Sequence, residues 1–328
     1  MSLAQDAQIV VTGGAGFIGS AVVRHLNDRG YTNIIVVDDL GSDDKWRNLV
    51  GKQVADVIPI QPFFTWLNDH VGDLGAIIHL GACSSTVEKD ASYLLENNYR
   101  FSQRLAEKAL SHDIRFIYAS SAATYGDGTQ GFDDSHDQLE ALQPLNMYGY
   151  SKHLFDLWAK RQGVLDRLVG LKYFNVFGPN EFHKGRMASV ITKMVPSIQQ
   201  DGVIRLFKSS DPSSFSDGEQ KRDFIYVKDA VRMTCAFLDN DAGGLYNIGR
   251  GIPETWNTIA RAVFAGLSQP VNIVYVDMPE DLVGKYQNYT CATMEKTRGV
   301  LGNVADTPSI DTSVVEYVRN YLLADQTW

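Results

Sequence analysis

Short apolar runs separated by amphipathic stretches organise the first half of the chain. Gln8–Val11 is such a run, followed by the glycine-rich stretch Thr12–Gly19 and then by the amphipathic segment Ser20–Arg29. Ile34–Asp38 is a second apolar run that ends in acid. The order strand, glycine loop, helix, strand predicts the first βαβ unit of a doubly wound parallel sheet. Ala76–Leu80, Arg115–Ala119 and Leu168–Tyr173 are further brief apolar runs bounded by polar residues or Gly. They read as buried parallel strands, which carry no polar face because helices cover both sides. Helical segments fall between them, near 91–111 and 152–162.

From Asn175 onward the alternation loosens and loop-forming residues become frequent. Lys208–Gln220 (KSSDPSSFSDGEQ) is polar and reads as a loop. Arg222–Val227 and Leu245–Ile248 predict strands that return to, or border, the first unit. No internal repeat and no Pro- or Ser-rich linker divides the chain. The pattern therefore predicts an α/β protein of two interleaved domains. One is a Rossmann-like doubly wound parallel sheet from 4–174 plus about 225–250; the other is a smaller α/β substrate domain at its C-terminal side, from about 175–224 and 251–328.

Composition narrows the function classes. With 328 residues, 44% hydrophobic and 21% charged, the chain has the profile of a soluble globular protein of about two domains. A net charge of −9 argues against a nucleic-acid surface, which needs a basic face, but leaves room for a small anionic ligand held by local Arg and Lys. Cys83, Cys235 and Cys291 show no CxxC pairing, so neither a disulfide framework nor a metal site is expected, and a reducing cytoplasm is the simplest compartment. No apolar run approaches the roughly 20 residues of a membrane helix, and no signal peptide is visible.

The loop glycines Gly13, Gly16 and Gly19 fit both a GxxGxxG and an overlapping GxGxxG pattern. Such a loop needs a tight turn, close backbone approach to phosphate, and close helix–strand packing. The helix that follows presents unpaired N–H groups to a pyrophosphate. Asp38, some 20 residues on, is placed to accept hydrogen bonds from an adenine ribose. An acid there favours NAD over NADP, whereas Lys45 a few residues later offsets its repulsion of a 2′-phosphate, so the choice stays open. Gly81-Ala82-Cys83-Ser84 follows the run ending at Leu80, at the carboxyl end where ligands bind in open α/β sheets. Cys83 itself reads as a small buried filler.

Tyr148 and Lys152 lie one helical turn apart on one face. A phenol beside an ammonium suits the removal of a hydroxyl proton while hydride leaves the same carbon, provided the phenol's pKa, ordinarily about 10, is lowered. Ser121, ending the run that begins at Arg115, can hydrogen-bond the reacting oxygen. An elimination of water would call for an Asp-Glu pair just after the strand serine, and Ala122-Ala123 stand there instead. A non-catalytic, cofactor-sensing protein is disfavoured by the intact Ser121, Tyr148 and Lys152.

The stretches TGGAGFIG, Ser120–Gly126, YGYSK and Tyr173–Pro179 resemble the extended short-chain dehydrogenase/reductases of nucleotide-sugar metabolism. Gly81–Thr86, Asn97-Asn98-Tyr99, His183-Lys184-Gly185 with Met187–Val190, and Lys221–Phe224 are similar to the ADP-L-glycero-D-manno-heptose 6-epimerases within that group, along nearly the whole chain. The resemblance implies an enzyme that oxidises C6 of an ADP-heptose with a bound nicotinamide cofactor and re-reduces it from the opposite face. It implies Tyr148 and Lys184 as the two proton-handling groups, with a phosphate or ribose contact as the other reading of Lys184. Phe17, Ile18, Lys45, Asn97 and Val176 match cofactor-contacting positions, beside Asp39, Leu80, Gly81, Ala82, Cys83 and Ser84. Asn175, Arg186, Lys193, Phe207, Arg222 and Tyr286 fall where the family contacts the ADP-sugar, with Lys208, Ser209 and Ser210 on the adjoining wall. Arg222 reads as a bidentate diphosphate clamp or as a salt-bridge partner of Asp223.

The family's usual cofactor implies NADP, but Asp39 and Ile60 stand where support for a 2′-phosphate is expected, so NAD stays open. Lys208–Gln220 is longer than the family pattern, as a selectivity element or a surface ornament. A UDP-hexose 4-epimerase shares the catalytic residues and is the alternative; the HKG-x-MASV stretch favours the heptose. The resemblance also implies self-association and a Gram-negative cytoplasm supplying lipopolysaccharide core synthesis; the lack of a long apolar run leads us to expect no membrane partner.

Overall fold

The computed structural model describes residues 3–279 and 287–328. In chain order the first strands are β1 (Gln8–Thr12), β2 (Ile34–Val37), β3 (Asp56–Ile58), β4 (Leu74–His79), β5 (Arg115–Ser121) and β6 (Leu168–Tyr173). There follow β7 (Asn175–Phe177), β8 (Ile204–Phe207), β9 (Lys221–Arg222), β10 (Phe224–Tyr226), β11 (Gly244–Ile248), β12 (Glu254–Thr255) and β13 (Ile273–Val276). Seven strands form one sheet in the order β11-β6-β5-β4-β1-β2-β3, and every pair in it is parallel. The order reverses beside β1, so the carboxyl ends of β1 and β4 flank the crevice where a ligand can enter.

Strand interiors such as Ile9–Val11, Ile34–Val37 and Ala76–Ile78 are buried, as expected of strands covered on both faces. A second apolar cluster centres on Phe177, Ile191, Leu206, Phe224, Ile259 and Val314, drawn from the later part of the chain. Two departures from the sequence pattern matter. The stretch read as one strand over Arg222–Val227 is two short strands broken at Asp223, and Val227 already opens a helix. Neither piece joins the main sheet: β10 pairs with β7 and β9 with β12. Asp223 breaks the run because its buried carboxylate accepts from the backbone N–H groups of Arg250 (2.8 Å), Gly251 (2.9 Å) and Ala292 (2.9 Å). The segment read as one helix over 91–111 contains a π-helical turn at Leu95–Arg100.

Candidate active site

The loop after β1 is shaped by its glycines. Gly13 adopts φ +69°, and a Cβ there would lie 2.7 Å from the Gly81 nitrogen. A Cβ on Gly19 would lie 2.0 Å from the Gly13 carbonyl oxygen, so only glycine lets the helix α1 (Phe17–Asp28) begin so close beneath the loop. The N–H groups of its first turn lack intrahelical acceptors and form an anion-accepting end. Thr12 Oγ1 accepts from the Gly81 N–H (3.0 Å) and meets Nδ1 of the buried His79 at 2.6 Å. Burial drives the His79 pKa down to about 3, with the Lys152 charge acting in the same direction, so the ring is a neutral structural partner.

At the end of β2, Asp38 accepts from the Ala15 N–H (2.9 Å) and pairs with Lys45 Nζ (2.9 Å). Lys45 also donates to the Asp39 carbonyl (2.6 Å), and the Asp39 carboxylate accepts from the Ile60 N–H (2.9 Å). The π turn follows the same logic of placement. It brings Asn97 to the cleft wall, while Asn98 is bonded to the Cys83 backbone at both its N–H (2.9 Å) and its carbonyl (3.0 Å) and to Ser151 Oγ (3.0 Å).

A cleft of about 780 Å³ opens over these carboxyl ends. Every residue the sequence placed at the cofactor end lines it, from Gly13 through Asp39 and Lys45 to Ser84, Asn97 and Val176. Tyr148, Lys152, Ser121 and Lys184 line it too, although they come from a helix, the end of β5 and the loop after β7. The Ser121 hydroxyl acts on the Tyr148 phenol to lower its pKa, and Ser121 Oγ also accepts from the Ala123 N–H at 3.1 Å. Lys152 is buried on the helix Met147–Arg161, and burial lowers its pKa to about 8 against the opposing charge of Asp156. Lys184 Nζ lies 5.5 Å from the Phe17 ring centroid, and burial lowers its pKa while Glu181 opposes the shift.

Burial holds the Tyr148 phenol above its ordinary pKa, and the Ser121 hydrogen bond only partly opposes it. The physical reason is that removing the phenol from water penalises the phenolate more than one hydroxyl donor repays.

The substrate-side residues divide. Asn175 lines the cleft, with its N–H held by the Asp223 carbonyl (3.0 Å). Arg186, Lys193, Phe207, Lys208, Ser209, Ser210 and Arg222 are not part of its wall among the described residues, and Tyr286 lies outside the described residues. Lys193 Nζ donates to the Arg186 carbonyl (2.9 Å), Lys208 pairs with Asp277 (2.9 Å), and the Ser209 N–H binds Asp217 (2.8 Å). Buried Arg222 donates to the Lys221 carbonyl at 2.9 Å.

Several wall or supporting residues were given no site role from the sequence, His183 among them although it stands in the HKG stretch. His183 lines the cleft and meets Asn48 Nδ2 at 3.3 Å; buried Asn48 also donates to the carbonyls of Ala15 (3.0 Å) and Asn180 (3.1 Å). No local motif marks Asn48, because its partners are far away in sequence. Asp156 was findable: it continues the Tyr148, Lys152 spacing by four more residues on the same helix face. Its carboxylate accepts from Tyr118 Oη (2.9 Å), Ser120 Oγ (2.7 Å) and Lys172 Nζ (2.9 Å), which ties the Tyr-Lys helix to the strand bearing Ser121.

Among the described residues no group of three or more His, Cys, Asp or Glu is placed to hold a metal ion, and no helix is long and apolar enough to cross a membrane. Residues 9–249 match the model of the NAD dependent epimerase/dehydratase family. The chain is 50% identical to the ADP-L-glycero-D-manno-heptose-6-epimerase of Nitratidesulfovibrio vulgaris over 96% of its own length and 98% of that protein. It is 42% identical to the protein of the same name from Fusobacterium nucleatum, over 98% and 99% of the two chains. Among solved structures, the Helicobacter pylori ADP-L-glycero-D-manno-heptose-6-epimerase matches with a TM-score of 0.80 at 26% identity, covering 98% of this chain and 97% of that one. A glycine loop at the sheet's switch point, a cleft holding Ser, Tyr and Lys, and these full-length likenesses converge: the chain belongs to the NAD dependent epimerase/dehydratase family.

Proposed function

We propose that this protein inverts C6 of ADP-D-glycero-D-manno-heptose to give ADP-L-glycero-D-manno-heptose, without net oxidation. The observation that carries the reading is a phenol and an ammonium, Tyr148 and Lys184, lining one cleft of a chain half identical to an ADP-L-glycero-D-manno-heptose-6-epimerase. The glycine cradle fits a nicotinamide dinucleotide, since Gly13 and Gly19 leave no room for a Cβ and the first turn of α1 offers its N–H groups to a pyrophosphate. Gly13, Gly16, Asp38, Gly81 and Asn97 would hold it. When bound, such a cofactor supplies reversible hydride acceptance and a positively charged ring.

The chain's own residues then manage the proton and the geometry. Tyr148 takes the C6 hydroxyl proton as hydride leaves that carbon, giving a ketone at C6. Ser121 donates to the reacting oxygen, and Lys152 adds positive charge beneath the phenolate. After the sugar turns over in the cleft, Lys184 delivers the proton to the C6 oxygen as hydride returns to the opposite face. Two separate groups are needed because the oxygen points to different walls in the two orientations. Arg222 and the residues around the second apolar cluster are assigned to the nucleotide-sugar side, and the seven-stranded sheet to the cofactor side.

We further assign NAD as the preferred cofactor. The carboxylates of Asp38 and Asp39 repel a phosphate and accept from hydroxyls, and the Lys45 ammonium is already engaged by Asp38 and by the Asp39 carbonyl. Titration of the cofactor-free protein with each dinucleotide tests this: tighter binding of NADP overturns the assignment. The overall reading is tested by incubating the purified protein, with no cofactor added, with ADP-D-glycero-D-manno-heptose and resolving the C6 epimers by NMR. Conversion to a mixture supports it. Inertness with both dinucleotides supplied, alongside turnover of a UDP-hexose, transfers the reaction to another nucleotide sugar.

A further inference from the structure

The loop Phe182–Met187 carries Lys184, yet none of its residues is fully buried; Lys184 itself is half-buried. Glu181, the residue immediately before it, is 1% exposed. One carboxylate oxygen accepts from the Gly178 N–H (3.2 Å), the Ser189 hydroxyl (2.7 Å) and the Tyr317 hydroxyl (3.0 Å). The other accepts from the Ser189 N–H at 2.5 Å. Gly178 precedes the loop, Ser189 follows it, and Tyr317 belongs to the second apolar cluster. A single side chain therefore closes the loop at both ends and fastens it to the body of the protein.

Resting on the role assigned above to Lys184, we propose that Glu181 is a positioning residue that holds the Lys184 loop against the cleft and thereby governs one of the two proton transfers. Only a carboxylate meets the demand. It accepts at both oxygens, and a glutamine would turn an NH₂ group toward either the Ser189 N–H or the three donors at the other oxygen. The physical cost of a poorly held loop is misplacement of Lys184, and a shift of about 1 Å at a reacting group lowers rates about 100-fold.

The test uses the cofactor-loaded protein carrying Glu181→Gln and follows reduction of the bound cofactor by each C6 epimer in separate single-turnover experiments. The expected result is selective: reduction by the epimer whose hydroxyl faces Lys184 slows about 100-fold, while reduction by the epimer that faces Tyr148 keeps its rate. Limited trypsin digestion gives a readout that needs no substrate, with cleavage after Lys184 and Arg186 accelerated and other sites unchanged. Wild-type rates with both epimers and unchanged cleavage overturn the proposal. An equal loss with both epimers, accompanied by a lower denaturation midpoint, assigns Glu181 to general stability and overturns it too. If wild-type protein reacts with neither epimer, the substrate reading has failed and the clasp is judged by trypsin alone: faster loop cleavage supports it and unchanged cleavage refutes it. Should Glu181→Gln not fold, Ser189→Ala removes one donor and is expected to slow the same epimer about tenfold; no effect there counts against the proposal.

Discussion

Replacing Lys172 by Met removes one half of the most deeply buried ion pair among the described residues. Its Nζ lies 2.9 Å from Asp156 Oδ2, and the two side chains are 1% and 0% exposed. Lys172 also donates to Thr124 Oγ1 (2.6 Å) and sits 4.9 Å from the Tyr125 ring centroid. Without it, the Asp156 carboxylate keeps the hydroxyl donors of Tyr118 and Ser120 but faces no opposing charge from strand β6. Breaking a buried pair in this one-sided way costs about 3–5 kcal/mol. That amounts to two to four powers of ten in the folding equilibrium, at about 1.4 kcal/mol per tenfold. Urea denaturation followed by tryptophan fluorescence measures it. The companion variants Asp156→Leu and Lys172→Met/Asp156→Leu complete a double-mutant cycle. Because the double variant strands no charge, it is expected to cost about 2 kcal/mol less than the sum of the singles, within the range seen for contacting residues. A loss below about 1 kcal/mol for Lys172→Met, or additivity within about 0.5 kcal/mol, would refute the reasoning.

Three further outcomes follow from the site. Tyr148→Phe is expected to retain dinucleotide binding while turnover falls by a factor on the order of 10²–10⁴; unchanged turnover removes the phenol from the mechanism. Gly19→Ala forces a methyl to within 2.0 Å of the Gly13 carbonyl oxygen, so the loop must open and dinucleotide affinity measured by calorimetry should collapse. Lys152 tests linkage: its folded pKa, lowered from 10.5 to about 8, means that the folded state binds fewer protons than the unfolded state between those values. Stability owed to this group therefore rises with pH across that window, and Lys152→Met should stabilise the protein at pH 7 by about 3 kcal/mol. The gain should shrink as pH climbs past 8; a gain that is independent of pH contradicts the assignment.

Local order was legible because it is written in local patterns. Apolar runs buried on both faces announce β1, β2, β4, β5 and β6, and the Gly13, Gly16, Gly19 spacing marks a turn that other residues cannot make. The cofactor end could be read from sequence because its residues follow directly on strand ends, and strand ends in an open parallel sheet all meet at one crevice. Asp223 illustrates the opposite case. Its side chain draws in backbone from residues 250, 251 and 292, and this contact, rather than β-propensity, splits the run around it.

The sequence by itself therefore determined the class of sheet, the position of the glycine loop and the pairing of Tyr148 with Lys152 one helical turn apart. Only the tertiary structure decided that Lys184 shares their cleft, that Asn48 bridges the glycine loop to the 180s segment, and that Glu181 fastens the loop bearing Lys184. It also decided that Tyr148 stands half-buried in the cleft wall, where burial pushes its phenol pKa upward. The reason is the range of the forces involved. Periodicity and spacing encode what a residue does with neighbours one turn away. Burial and long-range hydrogen bonds depend on which distant segments the packed core brings alongside.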